Sequence, residues 1–398
     1  MDHELVSAQL AQVVSRDSRE LDRICEAVAA MLVDSGTEPR FAVSSADFAG
    51  DPFLICADRY WRRRMLDRPT VDEAAACARW LEAQVTAECR EAVGLKWALG
   101  YAFITRDNVE SPTELQAAAE RLRASDDNRA IARFAARYQA GKLQANFQFD
   151  ALRQFLEASP LVPVDSGDAL MAAFGAFAAF GSRNVSTTYA VELLDLAWRA
   201  PLRTQQVTDI CLNALWAARP FDGQGELLRS HAEQAVAAHP DAHVFHFRLA
   251  TGMRLCERFD NALDSIDAAL RLLPAHGSRG SHGLLQEQYL RERHTILDSR
   301  SRAAWTALQQ QRWDQQESAN LELRQTMQSA TVRAVELVAV FTAAIAFAIG
   351  SLQVALSGSM GLGDRVWLLV TLGGGMLLFA LLIVSGTWYL THERGRRR

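Results

Sequence analysis

Near its C-terminus the chain carries two long stretches without a single formal charge. From Leu337 to Leu356 it reads LVAVFTAAIAFAIGSLQVAL, and from Val366 to Leu390 it is again uncharged throughout. About 20 apolar residues of helix cross a hydrocarbon core of about 30 Å, so each stretch is long enough to span a bilayer. The nine residues between them, SGSMGLGDR, have the Gly- and Ser-rich chemistry of a tight turn. A two-helix transmembrane hairpin over 337–390 is therefore expected, with spans at 337–356 and 366–390. Two such runs in succession are rare in a soluble core, which disfavours a buried hairpin. Trp367 at the start of the second span, and Trp388 and Tyr389 at its end, fall where amphipathic rings sit at the membrane interface. Arg324 and Arg333 precede the first span, and a basic tail over 391–398 holds Arg394, Arg396, Arg397 and Arg398. The turn balances Asp364 against Arg365. This arginine asymmetry predicts an inner-membrane protein with both termini cytoplasmic. The opening Met1-Asp2-His3-Glu4 is acidic and leads into no apolar run, unlike a signal peptide.

Inside the spans small residues recur four apart, at Ala339 and Ala343, Ala344 and Ala348, and Ala346 and Gly350, and the second span carries Gly373-Gly374-Gly375. Such spacing permits close helix approach in lipid. Packing of the hairpin on itself is the favoured account; packing between chains, giving a homo-oligomer, is the alternative. Polar groups in membrane helices are functional candidates by default, which adds Glu336 and Gln353 to Ala343 and Gly350 as packing or pore candidates.

The rest of the chain is read as all-α. Helical periodicity dominates, and strictly alternating β-branched runs are absent. Thr70 and Glu73 have capping-box spacing, and Ser111-Pro112-Thr113-Glu114 combines a cap, a first-turn proline and a reciprocal glutamate. Amphipathic runs follow at 20–33, 52–66, 128–140, 147–158, 189–199, 204–218 and 225–238. PLVPVDSGD, from Pro160 to Asp168, is the clearest break and suggests an N-terminal helical domain over 1–159. ALMAAFGAFAAF follows it; it is apolar on every face but too short for a span, hence a core helix. The six cysteines lie far apart with no Cys-x-x-Cys, as expected of reduced thiols in a cytosolic body. A net charge of −5 gives no general attraction to nucleic acid.

Within 168–280, the segment His243–Pro274 places Leu249, Ala250, Phe259, Ala262, Ile266, Ala269 and Pro274 at the signature positions of a helix-turn-helix repeat of about 34 residues. It resembles a tetratricopeptide repeat. The alanines let two antiparallel helices cross closely, Leu249, Phe259 and Ile266 fill the groove, and Pro274 ends the second helix. His246 and Met253 depart from the pattern. The preceding unit, Asp209–Pro240, keeps Leu215, Ala235 and Pro240 in phase but carries Pro220. One repeat cannot bury its own faces, so the resemblance implies a TPR-like α-solenoid with a concave surface for a protein or peptide partner, and no chemistry. From 284 to 331 the chain lacks Pro and Gly and reads as a polar, Gln-rich helical stalk. HGSRGSHG, from His276 to Gly283, is the expected hinge before it.

No Walker loop, Rossmann glycine pattern, Gly-x-Ser-x-Gly or His-Glu-x-x-His is present. His239, His243 and His246 form the only histidine cluster and lack an acidic or Cys partner at ligand spacing, so neither a metal nor another cofactor is expected. Arg59, Arg62, Arg63, Arg64 and Arg68, beside Tyr60 and Trp61, could grip an anionic headgroup, but a solvated face of Arg–acid pairs is the favoured reading. The sequence therefore points away from an enzyme and toward a membrane-anchored cytoplasmic scaffold or sensor that touches a protein partner and membrane lipid. The rival is an oligomerising, pore-forming effector of a bacterial defence system, triggered through its helical domain. In a cysteine-free background, an outside-applied impermeant maleimide is expected to label a cysteine placed at Ser359 and none in the body or after Arg394. The opposite pattern would invert the topology.

Overall fold

The computed structural model describes residues 3–11, 18–124, 129–162, 167–201, 203–273, 279–356 and 361–395. Among these the chain is helical apart from loops and one isolated parallel bridge between Val43 and Val85. Before the Pro160–Asp168 stretch lie α1 (His3–Ala11), α2 (Ser18–Asp34), α3 (Pro52–Asp67), α4 (Val71–Gln84), α5 (Ala87–Ile104), α6 (Pro112–Ala124), α7 (Arg129–Ala145) and α8 (Phe149–Ala158). After it come α9 (Ala169–Gly181), α10 (Thr187–Trp198), α11 (Gln205–Ala217), α12 (Gln224–Ala238), α13 (His243–Leu255), α14 (Phe259–Arg271), α15 (Arg279–Leu356) and α16 (Leu362–Gly395).

Residues 1–300 form one compact unit and 301–398 a second. The division expected at Pro160–Asp168 is thus a connection within the first unit. The reason is α9: α7 and α8 pack on it from one side of that stretch, α10 and α11 from the other. Asp168 starts α9 by accepting hydrogen bonds from the Leu170 and Met171 amides. Phe174 and Phe177 are fully buried, so this helix is a core element, as its length suggested. It sits in a row in which α7, α9, α11 and α13 each touch the next, with α8, α10 and α12 packed between successive members.

Local chemistry fixes the helix starts. At α6, Glu114 Oε2 accepts from the Ser111 amide at 2.7 Å while Ser111 Oγ accepts from the Glu114 amide, a complete capping box. At α4 only half the box forms. Thr70 Oγ1 accepts from the Glu73 amide, but the Glu73 carboxylate turns inward to Arg64 at 2.7 Å. Trp61, Trp80 and Trp97 run through the core beneath, with Trp80 stacked on Trp97 at 5.8 Å between centroids. Lys142 is fully buried on α7. Its ammonium donates to Pro69 O at 2.6 Å and Asn108 O at 2.7 Å, tying two loops to the helix, while burial pulls its pKa down to about 8.

In the repeat-like pair, Ala250, Ala262, Ile266 and Ala269 are fully buried where α13 meets α14, Leu249 is buried and Phe259 half-buried against the same core. Pro274 lies outside the described residues. The link between the helices turns through Glu257, whose φ is +58°. The hinge expected at His276–Gly283 is absent over its described part. His276 to Ser278 lie outside the described residues, and from Arg279 the chain is already helix α15, which continues without interruption through the proposed stalk and the first apolar stretch to Leu356. Within the first unit its opening turns bury Tyr289 and Ile296.

The α12–α13 crossing depends on glycine. A Cβ built on Gly252 would stand 2.7 Å from the Arg229 amide nitrogen and 2.8 Å from its Cα, and one on Gly225 would stand 2.8 Å from Leu255 Cβ. Alanine is intrinsically better than glycine in a helix by about 1 kcal/mol, but here the obstacle is backbone, which cannot rotate away. Gly252→Ala is expected to lower stability by about 1–3 kcal/mol in chemical denaturation. A gain in stability would mean that the crossing is looser than described.

Candidate functional site

The second unit presents the feature with the clearest consequence. α15 and α16 are the two helices among the described residues that are long and apolar enough to cross a membrane, and in each the most apolar 18-residue window is wholly unburied. Leu337, Val338, Phe341, Ile345, Ile349 and Leu352 on α15 are exposed, as are Val366, Trp367, Val370, Leu377, Leu378, Leu381 and Leu382 on α16. Every backbone N–H and C=O along such a stretch is satisfied within its own helix, so the exposed surface is purely side-chain. The hydroxyls follow the same rule: Thr342 Oγ1 donates to Val338 O at 2.7 Å and Thr371 Oγ1 to Trp367 O.

The two helices meet along one narrow seam. A Cβ on Gly350 would be 3.8 Å from Leu372 Cδ2, and one on Gly373 would be 3.9 Å from Phe347 Cζ. Glu336, Ala343, Ala344, Phe347 and Gly350 are half-buried on a common stripe of α15, and Leu368, Gly373, Met376 and Ala380 on α16. Ala343, Gly350 and Glu336 thus share the stripe that faces α16, whereas Gln353 is exposed outside it. Trp367 is exposed at the start of α16, and Trp388 and Tyr389 fall in its last turns, with their side chains outside the described set.

In the first unit the histidines have separate partners. His243 Nδ1 shares a 2.7 Å hydrogen bond with Tyr289 Oη, His246 Nε2 is 2.8 Å from Pro240 O, and the His239 ring lies against Phe245. Among the described residues no group of three His, Cys, Asp or Glu side chains is arranged to hold a metal ion. The arginines of α3 are mostly engaged by acids. Arg59 reaches Asp22 at 3.2 Å and Glu26 at 3.5 Å, Arg63 pairs with Glu26 at 2.5 Å, and Arg64 with Glu73. The exposed pairs among these, those of Arg59 and Arg63, add little stability each. The six thiols are unpaired in disulfide terms; burial holds Cys25 up at about 11 and Cys211 at about 12, which leaves them poor nucleophiles.

One buried polar cluster had no sequence signature of its own. Arg248 on α13 lies 4.4 Å over the Trp216 ring, donates to Asn213 Oδ1 at 2.8 Å and has its pKa pulled down to about 10 by burial. Asp209, whose carboxyl is pushed up by burial, belongs to the same cluster. Next to it Phe247 stacks on Tyr289 at 4.8 Å. These groups bind α11, α13 and the first turns of α15 into one interior. The only sequence hint was an arginine between Phe247 and Leu249, on a face that otherwise reads as core. Compared with protein-family models, with curated proteins and with solved structures, the chain matches none.

Cysteines replacing Gly350 and Leu372 are expected to be joined by a short bifunctional maleimide within a single chain. After cleavage at a protease site inserted within residues 357–360, the fragments should then remain linked. Linkage between chains instead would assign the seam to an oligomer.

Proposed function

We propose that the chain is a membrane-anchored helical scaffold, in which the hairpin of α15 and α16 sits in the bilayer and the preceding helices, stacked in a TPR-like manner on the cytoplasmic side, bind a protein or peptide. The observation that carries the reading is the uncovered apolar surface of the two C-terminal helices. Burying an apolar side chain is worth about 1.5–3 kcal/mol, so a dozen left in water would cost more than the 5–15 kcal/mol by which a domain is usually stable. The body supports a binding role through its composition of paired helices crossing at small residues, with Ala250, Ala262 and Ala269 in the best-matched pair. No constellation of nucleophile, base and orienting group argues for catalysis, and the proposal includes none.

The rival, a membrane-permeabilising oligomer, draws on one observation: Gln353 is exposed on α15, off the seam. Against it, Gly350 is occupied by the approach of α16 and Ala343 is half-buried on the same stripe, which leaves fewer positions where a second hairpin could pack closely.

Full-length protein expressed in cells is expected to stay in the membrane fraction through alkaline carbonate extraction and to be released when 337–390 is deleted. Overexpression should leave the membrane potential unchanged. Depolarisation that disappears with Ala343→Leu or Gly350→Leu, at equal insertion, would replace the scaffold reading with the effector.

A further inference from the structure

A cleft of about 370 Å³ lies between α6, α7 and α8, walled by Leu115, Leu143 and Phe155. Among its lining residues is Gln139 of α7, fully buried. Among the described residues neither Gln139 Oε1 nor Nε2 has a hydrogen-bond partner. A buried amide left unpaired forfeits the hydrogen bonds that water gives it in the unfolded chain, so a glutamine here is a poor choice for packing alone.

The charges around the cleft narrow what could pair with it. No Lys, Arg or His lines it. The nearby Lys142 turns away to Pro69 O and Asn108 O. The one acid in the wall, Glu110, accepts from the Val71 amide at 2.7 Å and is held beside that same lysine. An anion would therefore meet no cation, and the wall's own carboxylate is already matched. Gln139 offers an acceptor and a donor side by side, and an uncharged amide answers both at once. The volume is at the small end of ligand sites, enough for a side chain or two.

We infer that the α6–α8 cleft is a recognition pocket for an uncharged carboxamide, such as an Asn or Gln side chain of a partner peptide flanked by apolar residues, read by the buried amide of Gln139. The inference names the partner chemistry for the binding role proposed above and so rests on it, but the two fail separately. Loss of membrane retention would remove the anchor and leave the cleft, and an unoccupied cleft would leave the anchor standing.

The test uses the full chain in lipid nanodiscs and three probes capped as C-terminal methyl esters, so that the glutamine side chain supplies the one primary carboxamide: N-acetyl-leucyl-glutamine methyl ester, its glutamate counterpart and its methionine counterpart, followed by saturation-transfer NMR. The glutamine probe is expected to bind about tenfold or more tighter than either counterpart, because each of those leaves Gln139 unpaired or faces it with an uncompensated charge. Gln139→Met should erase the preference over the methionine probe. Ala151→Trp, at the exposed rim, should block all three without disturbing the interior, which keeps the test independent of whether the first variant folds. Equal binding of the three probes, no binding of any, or a preference that survives Gln139→Met would each overturn the inference.

Discussion

The constraint on which everything else turns is that a folded chain must cover its apolar surface, and this one leaves a long stretch of it uncovered. The two C-terminal helices have no protein core to enter, since their most apolar windows are entirely unburied. Their seam shields only a stripe on each helix, marked by Phe347 and Gly350 on one and Gly373 on the other. In the proposed reading the remaining leucines, valines and phenylalanines meet a solvent as apolar as themselves. Helical backbone, with its hydrogen bonds closed internally, is one of the two forms in which a chain can meet that solvent. The membrane reading follows from this balance of areas.

The first unit solves the opposite problem, hiding its apolar surface with many short helices. Close crossings are made by removing side-chain volume, through Gly225 and Gly252 between α12 and α13 and through Ala250, Ala262 and Ala269 between α13 and α14. Polar groups taken inside are tied to specific partners: Lys142 to two loop carbonyls, Arg248 to Asn213 and the Trp216 ring, Tyr289 to His243. Each such tie penalises the wrong packing more than it rewards the right one, so these contacts argue for a defined interior rather than for extra stability. Gln139 is the contrast. It is as deeply buried as any of these and is tied to nothing among the described residues.

Much of the architecture could be read before any coordinates. The amphipathic runs at 52–66 and 225–238 coincide with α3 and α12 to within a residue or two, because strong helical periodicity and a proline or glycine at the start leave few alternatives. α5 was harder. Its apolar residues are spread around the helix, and its buried face, with Trp97 and Tyr101, is defined only by what packs on it. The break at Pro160–Asp168 misled for a related reason: prolines report local geometry, whereas unit boundaries depend on long-range contacts such as those of α9. Composition alone reads the glycine-rich run before α15 as a hinge, whereas from Arg279 onward the chain is helix. The polar cluster around Arg248 joins α11, α13 and α15, and the cleft lined by Gln139 joins the three successive helices α6, α7 and α8; no spacing along the chain announces either.

The central claim, that α15 and α16 contact lipid on the faces they expose, is open to one direct measurement. Nitroxide labels placed singly from Leu337 to Leu356 in bilayer-reconstituted protein report collision with oxygen, which concentrates in hydrocarbon, and with a water-soluble nickel chelate. The account predicts high oxygen and low nickel access at Phe341, Ile345 and Ile349, with minima for both reagents at Ala343, Phe347 and Gly350, where α16 lies. Nickel access along the whole stretch would put these helices in water, and low access to both reagents at every position would put them inside a protein interior; either result would contradict the account.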